Sequence, residues 1–378
     1  MLSIAFFLHT LRSDWNNGNA HFLRGLAREL GRLGHTVKVF ELLDGWSYQN
    51  LLTEPNGQAS LDQYAETYPD IDLRLYDPAD PALRDTVMRE LHGMDAVIVH
   101  EWNERALIDL VLDLRAELGF KTLFHDTHHR ASSSPEAIRS LRVDEFDGVL
   151  AFGDALTKIY KERFGITECW TLHEAADTTV FFPQKAPTAN ELVWVGNWGD
   201  GERSAELREY LIGPAKRLRS ERSATGFRAT IYGVRYPEDG LAALADAGIR
   251  YGGYLPNLAA PDVYARSRMT MHVPRQQYVQ AQTGALTGIP TIRVFEALAS
   301  GIPLLSAPWQ DTEELFRAGD FTWVRSGEEA AAAMGRMLDD EDFVQAQVEQ
   351  GLTTVLARHT CAHRAAQLTR ILQEEVLA

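Results

Sequence analysis

Short apolar runs alternate with amphipathic segments along the chain, and the alternation begins again after a polar stretch at residues 183–190. The first series predicts strands at Leu2–Leu8, Val37–Leu42, Ala96–His100, Thr122–His125 and Val149–Phe152. The second series predicts strands at Leu192–Gly196, Arg228–Tyr232, Met269–Val273, Pro303–Ser306 and Phe321–Val324. Apolar residues with helical spacing lie between these strands. Alternating strands and helices predict parallel sheets with helices on both faces.

The polar stretch between the two series has the composition of a linker. We therefore predict two doubly wound, Rossmann-like domains of the α/β class, at residues 1–185 and 186–360, and a C-terminal helix at residues 361–378. In open parallel sheets, ligands bind beyond the carboxyl ends of the strands. Functional residues are therefore expected in the loops that follow the predicted strands.

The charge of the chain argues against partners that are bound through a basic surface. The formal net charge is −16, whereas bulk nucleic-acid binding requires a basic face. One basic segment stands out, with Arg24, Arg28, Arg32, His35 and Lys38. We interpret it as a solvated helix face, so that membrane contact is expected to be peripheral at most.

The sequence also indicates a compartment. Cys169 and Cys361 are the only cysteines, so no disulfide framework is indicated. No apolar run reaches the roughly 18 residues of a transmembrane helix. The N-terminus resembles a first strand more than a signal peptide. We therefore expect a cytoplasmic protein, and the sequence leaves its oligomeric state open.

The most informative stretch is residues 290–308, which read PTIRVFEALASGIPLLSAP. Thr291 is a candidate N-cap, and Gly301 followed by Pro303 indicates a helix end before a strand. A helix start offers amide N–H groups and partial positive charge to a phosphate. Arg293 and Glu296 share one helical face, and a carboxylate there can accept hydrogen bonds from two ribose hydroxyls. A structural helix with a solvated Glu296 is the alternative.

This stretch resembles the nucleotide-sugar site of GT-B glycosyltransferases such as glycosyltransferase family 4. The matching residues are Glu296-Ala297, Ala299-Ser300-Gly301 and Pro303, and the Arg-Val-Phe-Glu-Ala variant is similar to the bacterial spore-maturation-like branch. The resemblance implies two domains facing across a cleft and a last helix that returns to the first domain. It also implies transfer of a sugar from a nucleoside-diphosphate sugar to an unidentified hydroxyl acceptor, without a metal or other cofactor.

The resemblance assigns the second domain to the donor. It implies that Glu296 binds the ribose and that Thr291 lies at the diphosphate, while Arg293 contacts the phosphate or braces Glu296. Asn197 stands where the family usually has Arg, and Arg203 is the cation nearest to the family's Lys. Further candidate ligands are Arg275, followed by Tyr278, and the nucleobase loop Gly253, Tyr254 and Leu255. Many family 4 enzymes have a Glu where this chain has Gly288, so the donor sugar and the stereochemical outcome stay open.

The first domain carries a cluster of ionisable residues in the sequence FHDTHHR at 124–130. Three interpretations compete: a structural hydrogen-bond network, a metal site that includes His125, and glycosyl transfer. Because family 4 enzymes carry a histidine after this strand, the resemblance favours the third. Either His128 or His129 is the equivalent residue. We assign His128 to bonding a sugar hydroxyl or orienting the acceptor, and Asp126 to orienting His128 or acting as base. His100 and Glu101 are expected to line the same site.

The loop from His9 to Asn19 follows the first strand and offers a weaker candidate. Gly18 would let the backbone approach a ligand closely, and Asn19 could cap the next helix. No Gly-x-Gly-x-x-Gly or Walker sequence is present.

Two other functions remain open at this point. A GT-B-fold sugar-nucleotide epimerase or hydrolase would share the donor site, and a two-domain sugar-binding module would have no catalytic activity.

Overall fold

The computed structural model describes residues 1–224, 226–275 and 288–378. The chain divides into two compact units. The first comprises Met1–Glu174 and Cys361–Ala378 with a short segment that ends at Ile289, and the second comprises the rest, from Ala175 to Thr360. The division after Glu174 precedes the boundary predicted at residue 185.

The first unit is built on a parallel sheet of seven strands in the order β3-β2-β1-β4-β5-β6-β7. The strands are β1 Ser3–Leu8, β2 Thr36–Leu42, β3 Asp72–Tyr76, β4 Ala96–His100, β5 Lys121–Asp126, β6 Gly148–Ala151 and β7 Cys169–Thr171. The central strands are buried along nearly their whole length, as expected for a sheet covered on both faces. His100 pairs with His125 in the parallel register of β4 and β5. The polar residues after β1, β4 and β5 therefore lie at neighbouring strand ends.

Helices connect these strands. They are α1 Ala20–Arg32, α2 Trp46–Thr53, α3 Gly57–Thr67, α4 Leu83–Leu91, α5 Arg105–Leu118, α6 Arg130–Ser133, α7 Pro135–Arg139 and α8 Asp154–Ile159. A π-helical turn, Tyr160–Phe164, continues α8. Such turns interrupt the regular i to i−4 hydrogen-bond ladder and are frequent near functional sites.

The second unit has its own parallel sheet, in the order β10-β9-β8-β11-β12-β13. The strands are β8 Asn190–Val195, β9 Ala229–Tyr232, β10 Arg250–Tyr251, β11 Ser267–His272, β12 Leu304–Ser306 and β13 Thr322–Trp323. The helices are α9 Ser204–Leu207, α10 Gly213–Glu221, α11 Glu238–Ala247, α12 Ala260–Ala265, α13 Ile292–Ser300, α14 Gly327–Asp339 and α15 Glu341–Arg358. A cluster of buried apolar side chains from β8, β9 and β11 packs against α10 and α14.

The last helix, α16 Cys361–Ile371, packs on α1 of the first unit. Thr369 Oγ1 lies 2.9 Å from His35 Nε2, and Arg364 Nε donates to the His173 carbonyl at 3.0 Å. The chain thus returns to its first unit after building the second sheet. The predicted architecture of two doubly wound parallel sheets with a returning C-terminal helix is confirmed.

None of the helices in the described ranges combines the length and the apolar character that crossing a bilayer requires.

Candidate functional site

Glu296 lies in the second turn of α13 and is fully buried. Its Oε2 accepts a hydrogen bond from Arg293 Nη1 at 2.5 Å and lies 3.5 Å from the hydroxyl of Tyr264. The interpretation of Glu296 as a solvated surface residue is therefore wrong. A buried carboxylate is tolerated when hydrogen bonds and an opposite charge replace the water it has lost, and Arg293 braces it in this way.

Thr291 occupies the N-cap position of α13 with an extended backbone, as the sequence predicts. Its side chain makes no capping hydrogen bond. Gly301 ends the helix in the left-handed conformation with φ 67°, which only glycine adopts without a steric penalty. The helix thus begins and ends where the sequence places it.

Arg203 stands at the start of α9, after the glycine-containing turn that follows β8. Its Nε and Nη2 donate to the carbonyl of Asn197 at 3.1 and 2.7 Å, and its Nη1 donates to the carbonyl of Val273 at 3.2 Å. The guanidinium also lies 5.2 Å from the ring centroid of Trp194. Arg203 therefore links the carboxyl ends of β8 and β11.

Three arginines come together at this edge of the second sheet. Burial, together with the positive charges of Arg275 and Arg293, lowers the pKa of Arg203 to about 10. Arg275 is paired with Glu202, and Arg293 with Glu296. Each added anion would relieve the mutual repulsion of the three guanidinium groups. The arrangement therefore favours an anionic ligand with several oxygens.

The other predicted donor-side residues follow strands β8 and β10 of the same sheet. Asn197 is half-buried, and its Oδ1 lies 3.5 Å from the amide of Val234. Gly253, Tyr254 and Leu255 are half-buried after β10, where the Gly253 carbonyl accepts a hydrogen bond from the Gly233 amide at 2.8 Å. Their contacts with a nucleotide stay predictions. Tyr278 lies outside the described residues.

His272, at the end of β11, is a buried residue that the sequence analysis missed. Its Nδ1 lies 2.9 Å from Ser306 Oγ, which also accepts from Trp309 Nε1 and donates to the Ala307 carbonyl. The single hydroxyl proton of Ser306 is donated to the Ala307 carbonyl, so Nδ1 of His272 must donate its own proton to Ser306 Oγ. Nε2 of His272 therefore carries the lone pair. Burial and Arg203 lower the pKa of His272 to about 3, so the ring is neutral. A hydrogen-bond acceptor thus lies near Arg203. The contact that fixes it joins His272 to Ser306, which is too distant in sequence to be predicted.

In the first unit, three imidazoles meet at the ends of β1, β4 and β5. The ring centroids of His9 and His100 are 5.4 Å apart, and those of His100 and His125 are 5.5 Å apart. Burial lowers the pKa of His125 to about 4, and burial together with the positive charge of Arg130 lowers that of His9 to about 4. Burial likewise holds the pKa of His100 well below its usual value. All three rings are therefore neutral at physiological pH.

The segment after β5 is fixed by hydrogen bonds from buried carboxyl groups. Glu101 Oε1 accepts from the amide and the hydroxyl of Thr127 at 3.1 and 3.0 Å, and Glu101 Oε2 accepts from Arg130 at 2.9 Å. Burial and the neighbouring Asp126 raise the pKa of Glu101 to about 8. The carboxyl group of Glu101 is thus buried and fixes this segment through hydrogen bonds, and it is not presented to solvent.

Asp126 holds the same segment through its backbone. Its Oδ1 accepts from the amide of His128 at 2.9 Å, and its Oδ2 accepts from the hydroxyl of Tyr160 at 2.5 Å. Asp126 is fully buried, which raises its pKa to about 6. The geometry favours the orienting role over that of a base, because the carboxyl group contacts the main chain of His128 and has no exposed surface.

His128 is only half-buried, in contrast to the histidines beneath it. Its ring packs edge-on against Trp102 at 5.1 Å and lies 3.9 Å from the ring of His129. His129 is buried, and its Nδ1 lies 2.7 Å from Ser133 Oγ. Of these two candidates, His128 is the one that a ligand can reach.

The loop between β1 and α1 is held by two fully buried charged residues. Glu41 accepts from the amides of Leu11 and Arg12 at 2.8 and 2.9 Å, and Arg24 Nε donates to the Leu11 carbonyl at 2.7 Å. The interpretation of Arg24 as part of a solvated helix face is therefore wrong. Loop carbonyls supply the partners that let this guanidinium be buried.

Gly18 is half-buried in the same loop, immediately before α1, and its ligand role stays a prediction. Asn19 occupies the N-cap of α1 but makes no capping hydrogen bond through its side chain.

Across the described residues, no three His, Cys, Asp or Glu side chains are arranged so that they could hold a metal ion.

Residues 208–370 match the model of a protein family described as Glycosyl transferase-like. The whole chain is similar in structure to HepE of Anabaena in complex with UDP and glucose, with a TM-score of 0.68, 15% identity, and 98% of this chain and 99% of that chain covered. The chain carries a glycosyltransferase-like domain on a GT-B fold.

Two other solved structures illustrate the likeness. A glycosyltransferase from Rickettsia africae matches with a TM-score of 0.67 and 13% identity, over 100% of this chain and 98% of that one. The TarM protein of S. aureus, in complex with fondaparinux, α-GlcNAc-glycerol and UDP, matches with a TM-score of 0.68 and 8% identity, over 99% and 100%. A search of curated proteins found no significant match.

Proposed function

We propose that this protein is a glycosyltransferase that moves a sugar from a nucleoside-diphosphate sugar to a hydroxyl acceptor. The observation that carries the proposal is the juxtaposition, within the second unit, of the buried Glu296 carboxylate with the cluster of Arg203, Arg275 and Arg293. A carboxylate suits the two ribose hydroxyls, and clustered guanidinium groups suit a diphosphate. The match of residues 208–370 to a glycosyl transferase-like family supports the same activity.

In this proposal the diphosphate lies at the N-terminus of α13, near Thr291, where backbone amides and the helix dipole favour an anion. Asn197 and the loop of Gly253, Tyr254 and Leu255 contact the rest of the nucleotide. Because Glu296 is fully buried, binding of the ribose has to displace part of what covers it. The neutral, buried Nε2 of His272 would accept a hydrogen bond from a hydroxyl of the nucleotide sugar.

The chemical step would depend on electrostatic stabilisation of the leaving nucleoside diphosphate. Each preorganised hydrogen-bond donor that meets developing negative charge contributes about 3–4 kcal/mol in other enzymes. Arginines and helix amides supply such donors here, so we propose a reaction without a metal ion or other cofactor. His128 would contact the acceptor or the transferred sugar, with Asp126 holding its backbone in place.

Three finer points belong to the proposal. UDP is the proposed nucleotide, because HepE and TarM were both solved with it. The Arg293 and Glu296 motif supports membership of the spore-maturation-like branch of family 4, and Gly288 leaves the transferred sugar and anomeric outcome open. We also propose a cytoplasmic, bacterial protein.

The proposal is tested by following UDP-glucose and related donors by NMR, with and without a panel of hydroxyl acceptors. Donor consumption that requires an acceptor, with a new glycosidic signal, is the expected result. An epimerised donor or free sugar in the absence of acceptor would show the alternative activity. Stabilisation by free sugars but by no nucleotide would show a binding module.

A further inference from the structure

Three rings meet at neighbouring strand ends of the first sheet and reach its surface. His9 follows β1, Trp102 follows β4 and His128 follows β5. The indole of Trp102 lies 6.4 Å from the ring of His9 and 5.1 Å from the ring of His128. We refer to this surface as the His9–Trp102–His128 face.

Trp102 is 43% exposed, although most residues around it at these strand ends are buried. The guanidinium of Arg130 lies 3.8 Å from its ring centroid. Arg130 Nη2 in turn donates to the Glu101 carbonyl and carboxylate at 2.7 and 2.9 Å. The indole of Trp102 is therefore exposed to solvent and held in one orientation by Arg130. A side chain that is already ordered lowers the entropic cost of binding a ligand.

Hydrogen-bonding groups border the indole. His9 Nδ1 is buried and has no hydrogen-bond partner in the part of the chain that the structure describes. A buried imidazole nitrogen without a partner has lost its hydration, so a ligand hydroxyl that displaces the atoms covering it restores a hydrogen bond. The half-buried His128 offers a second imidazole on the other side of the indole.

This combination selects a class of ligand. A pyranose ring has a face of C–H groups that packs on an indole, and an edge of hydroxyls that meets imidazole nitrogens. An acyl chain would cover the indole but leave the His9 nitrogen without a partner. A small polyol such as glycerol would reach the imidazoles but has no apolar face to pack on Trp102.

We propose that the His9–Trp102–His128 face is the acceptor subsite and that the acceptor presents a pyranose ring, which stacks on Trp102 with its hydroxyls toward His9 and His128. The assignment as an acceptor subsite rests on the proposed glycosyltransferase function. The binding of a pyranose to this face does not depend on turnover, so it can be tested directly.

The test is saturation-transfer-difference NMR with the methyl α- and β-pyranosides of glucose, galactose and mannose, and with glycerol as the polyol probe. The intact protein is compared with Trp102→Ala, with Trp102→Phe and with Trp46→Ala. Trp46 is an exposed tryptophan of the same unit, 55% exposed on α2, and serves as the matched control.

At least one pyranoside should receive saturation on its ring C–H protons from the intact protein and from Trp46→Ala. Its affinity should fall about tenfold in Trp102→Ala and be largely restored in Trp102→Phe, because a phenyl ring still offers a stacking face. Glycerol should give no signal that depends on Trp102. Absence of transfer to every pyranoside, or transfer unchanged by Trp102→Ala, would overturn the proposal.

A donor titration separates this inference from the proposed function. UDP affinity, measured by calorimetry, should be the same in Trp102→Ala as in the intact protein, because Trp102 is not part of the donor site in the second unit. Failure of the intact protein to bind any nucleoside diphosphate would contradict the proposed function, while the pyranoside experiment would still decide whether the face binds sugar.

Discussion

Glu296 and His125 are both fully buried, and the two residues meet that condition in opposite ways. The Glu296 carboxylate is met by the guanidinium of Arg293. His125 has no hydrogen-bond partner for either ring nitrogen among the described residues, and burial keeps it neutral. The retained charge of Glu296 suits a ligand that needs it, whereas the neutral ring of His125 packs against that of His100.

Replacing Glu296 tests the ribose assignment. Glu296→Ala removes the carboxylate that we assign to the ribose hydroxyls, and hydrogen bonds to charged groups are each worth about 1.5–3 kcal/mol. Calorimetric affinity for UDP should therefore fall roughly 10- to 100-fold. The control is Glu328→Ala, an exposed carboxylate in the first turn of α14 of the same unit. Thermal unfolding of both variants shows whether the fold is kept, and unchanged UDP affinity in folded Glu296→Ala would contradict the assignment.

The burial of His125 predicts how the free energy of unfolding changes as the pH falls. Its pKa is lowered from 6.5 to about 4 by burial, so between these values the unfolded chain binds more protons than the folded one. The stability from the neutral ring is present above pH 6.5 and is lost as the pH falls toward 4. Between pH 7 and pH 5 this loss amounts to about 2 kcal/mol.

His125→Phe removes the titrating group while keeping a ring of similar size. Asp126, with its pKa raised to about 6, acts in the opposite sense in the same pH range, so the comparison must be between variant and wild type. The free energy of unfolding, from urea titrations at pH 7 and pH 5, should drop by about 2 kcal/mol less in the variant. An identical drop in both proteins would show that His125 is not buried and neutral.

Sequence reasoning at this scale succeeded where function and local structure coincide. The spacing of Arg293 and Glu296 on one helical turn could be read directly, and their contact follows from it. His272 could not be found in this way, because its tautomer is set by Ser306 on another strand. The burial of Arg24 likewise depends on carbonyl groups of the loop that precedes α1. The sequence of α1 alone does not indicate that contact.

At the scale of elements, the sequence predicted best those strands that are apolar along their length. β1, β4, β8 and β11 are central in their sheets and carry such runs. β3, β7 and β10 were missed because they are the outermost strands of their sheets. An edge strand pairs on one side only, so it can be short or carry charged residues and lacks a long apolar run. The π-helical turns at Tyr160–Phe164 and Arg208–Ile212 were also missed, since they depend on how a helix is packed rather than on its composition.

The end of α13 provides a test of how this helix is positioned. Gly301 has φ 67°, and a Cβ at this position would lie 3.2 Å from the side chain of Pro183. Gly301→Ala should therefore lower the free energy of unfolding by about 1–2 kcal/mol, the penalty for a side chain in the left-handed region. Denaturant titration measures the change.

Gly31 is the matched control, because it lies in the last turn of α1 without a positive φ, and a Cβ added there would meet no other atom within 4 Å. Gly31→Ala should raise the free energy of unfolding by up to about 0.5–1 kcal/mol, the gain expected when alanine replaces glycine in a helix. Equal effects of the two substitutions would mean that Gly301 does not end α13 in the left-handed conformation.

At the scale of the whole molecule, an acidic protein with a net charge of −16 is proposed to bind an anion. The conflict is only apparent, because exposed charges are screened beyond about 8 Å at physiological ionic strength. The electrostatic field at the proposed site is determined instead by three partly buried arginines, which lie after β8, after β11 and at the start of α13.

Two alternating series of elements were enough to predict two sheets. They were not enough to place the division after Glu174, because compact units are defined by spatial contacts and the linker composition begins only later in the chain. The donor sugar and the acceptor could not be read from the sequence either, since both are selected by side chains brought together from several strand ends.

The central claim is that the arginine cluster beside α13 receives the diphosphate of a nucleotide. Calorimetric titration of UDP and of uridine into the intact protein and into Arg203→Gln tests it most directly. The account predicts that UDP binds the intact protein and that Arg203→Gln weakens UDP roughly 10- to 100-fold while leaving the affinity for uridine unchanged. An intact protein that binds no nucleoside diphosphate, or an Arg203→Gln variant that binds UDP as tightly as the intact protein, would contradict it.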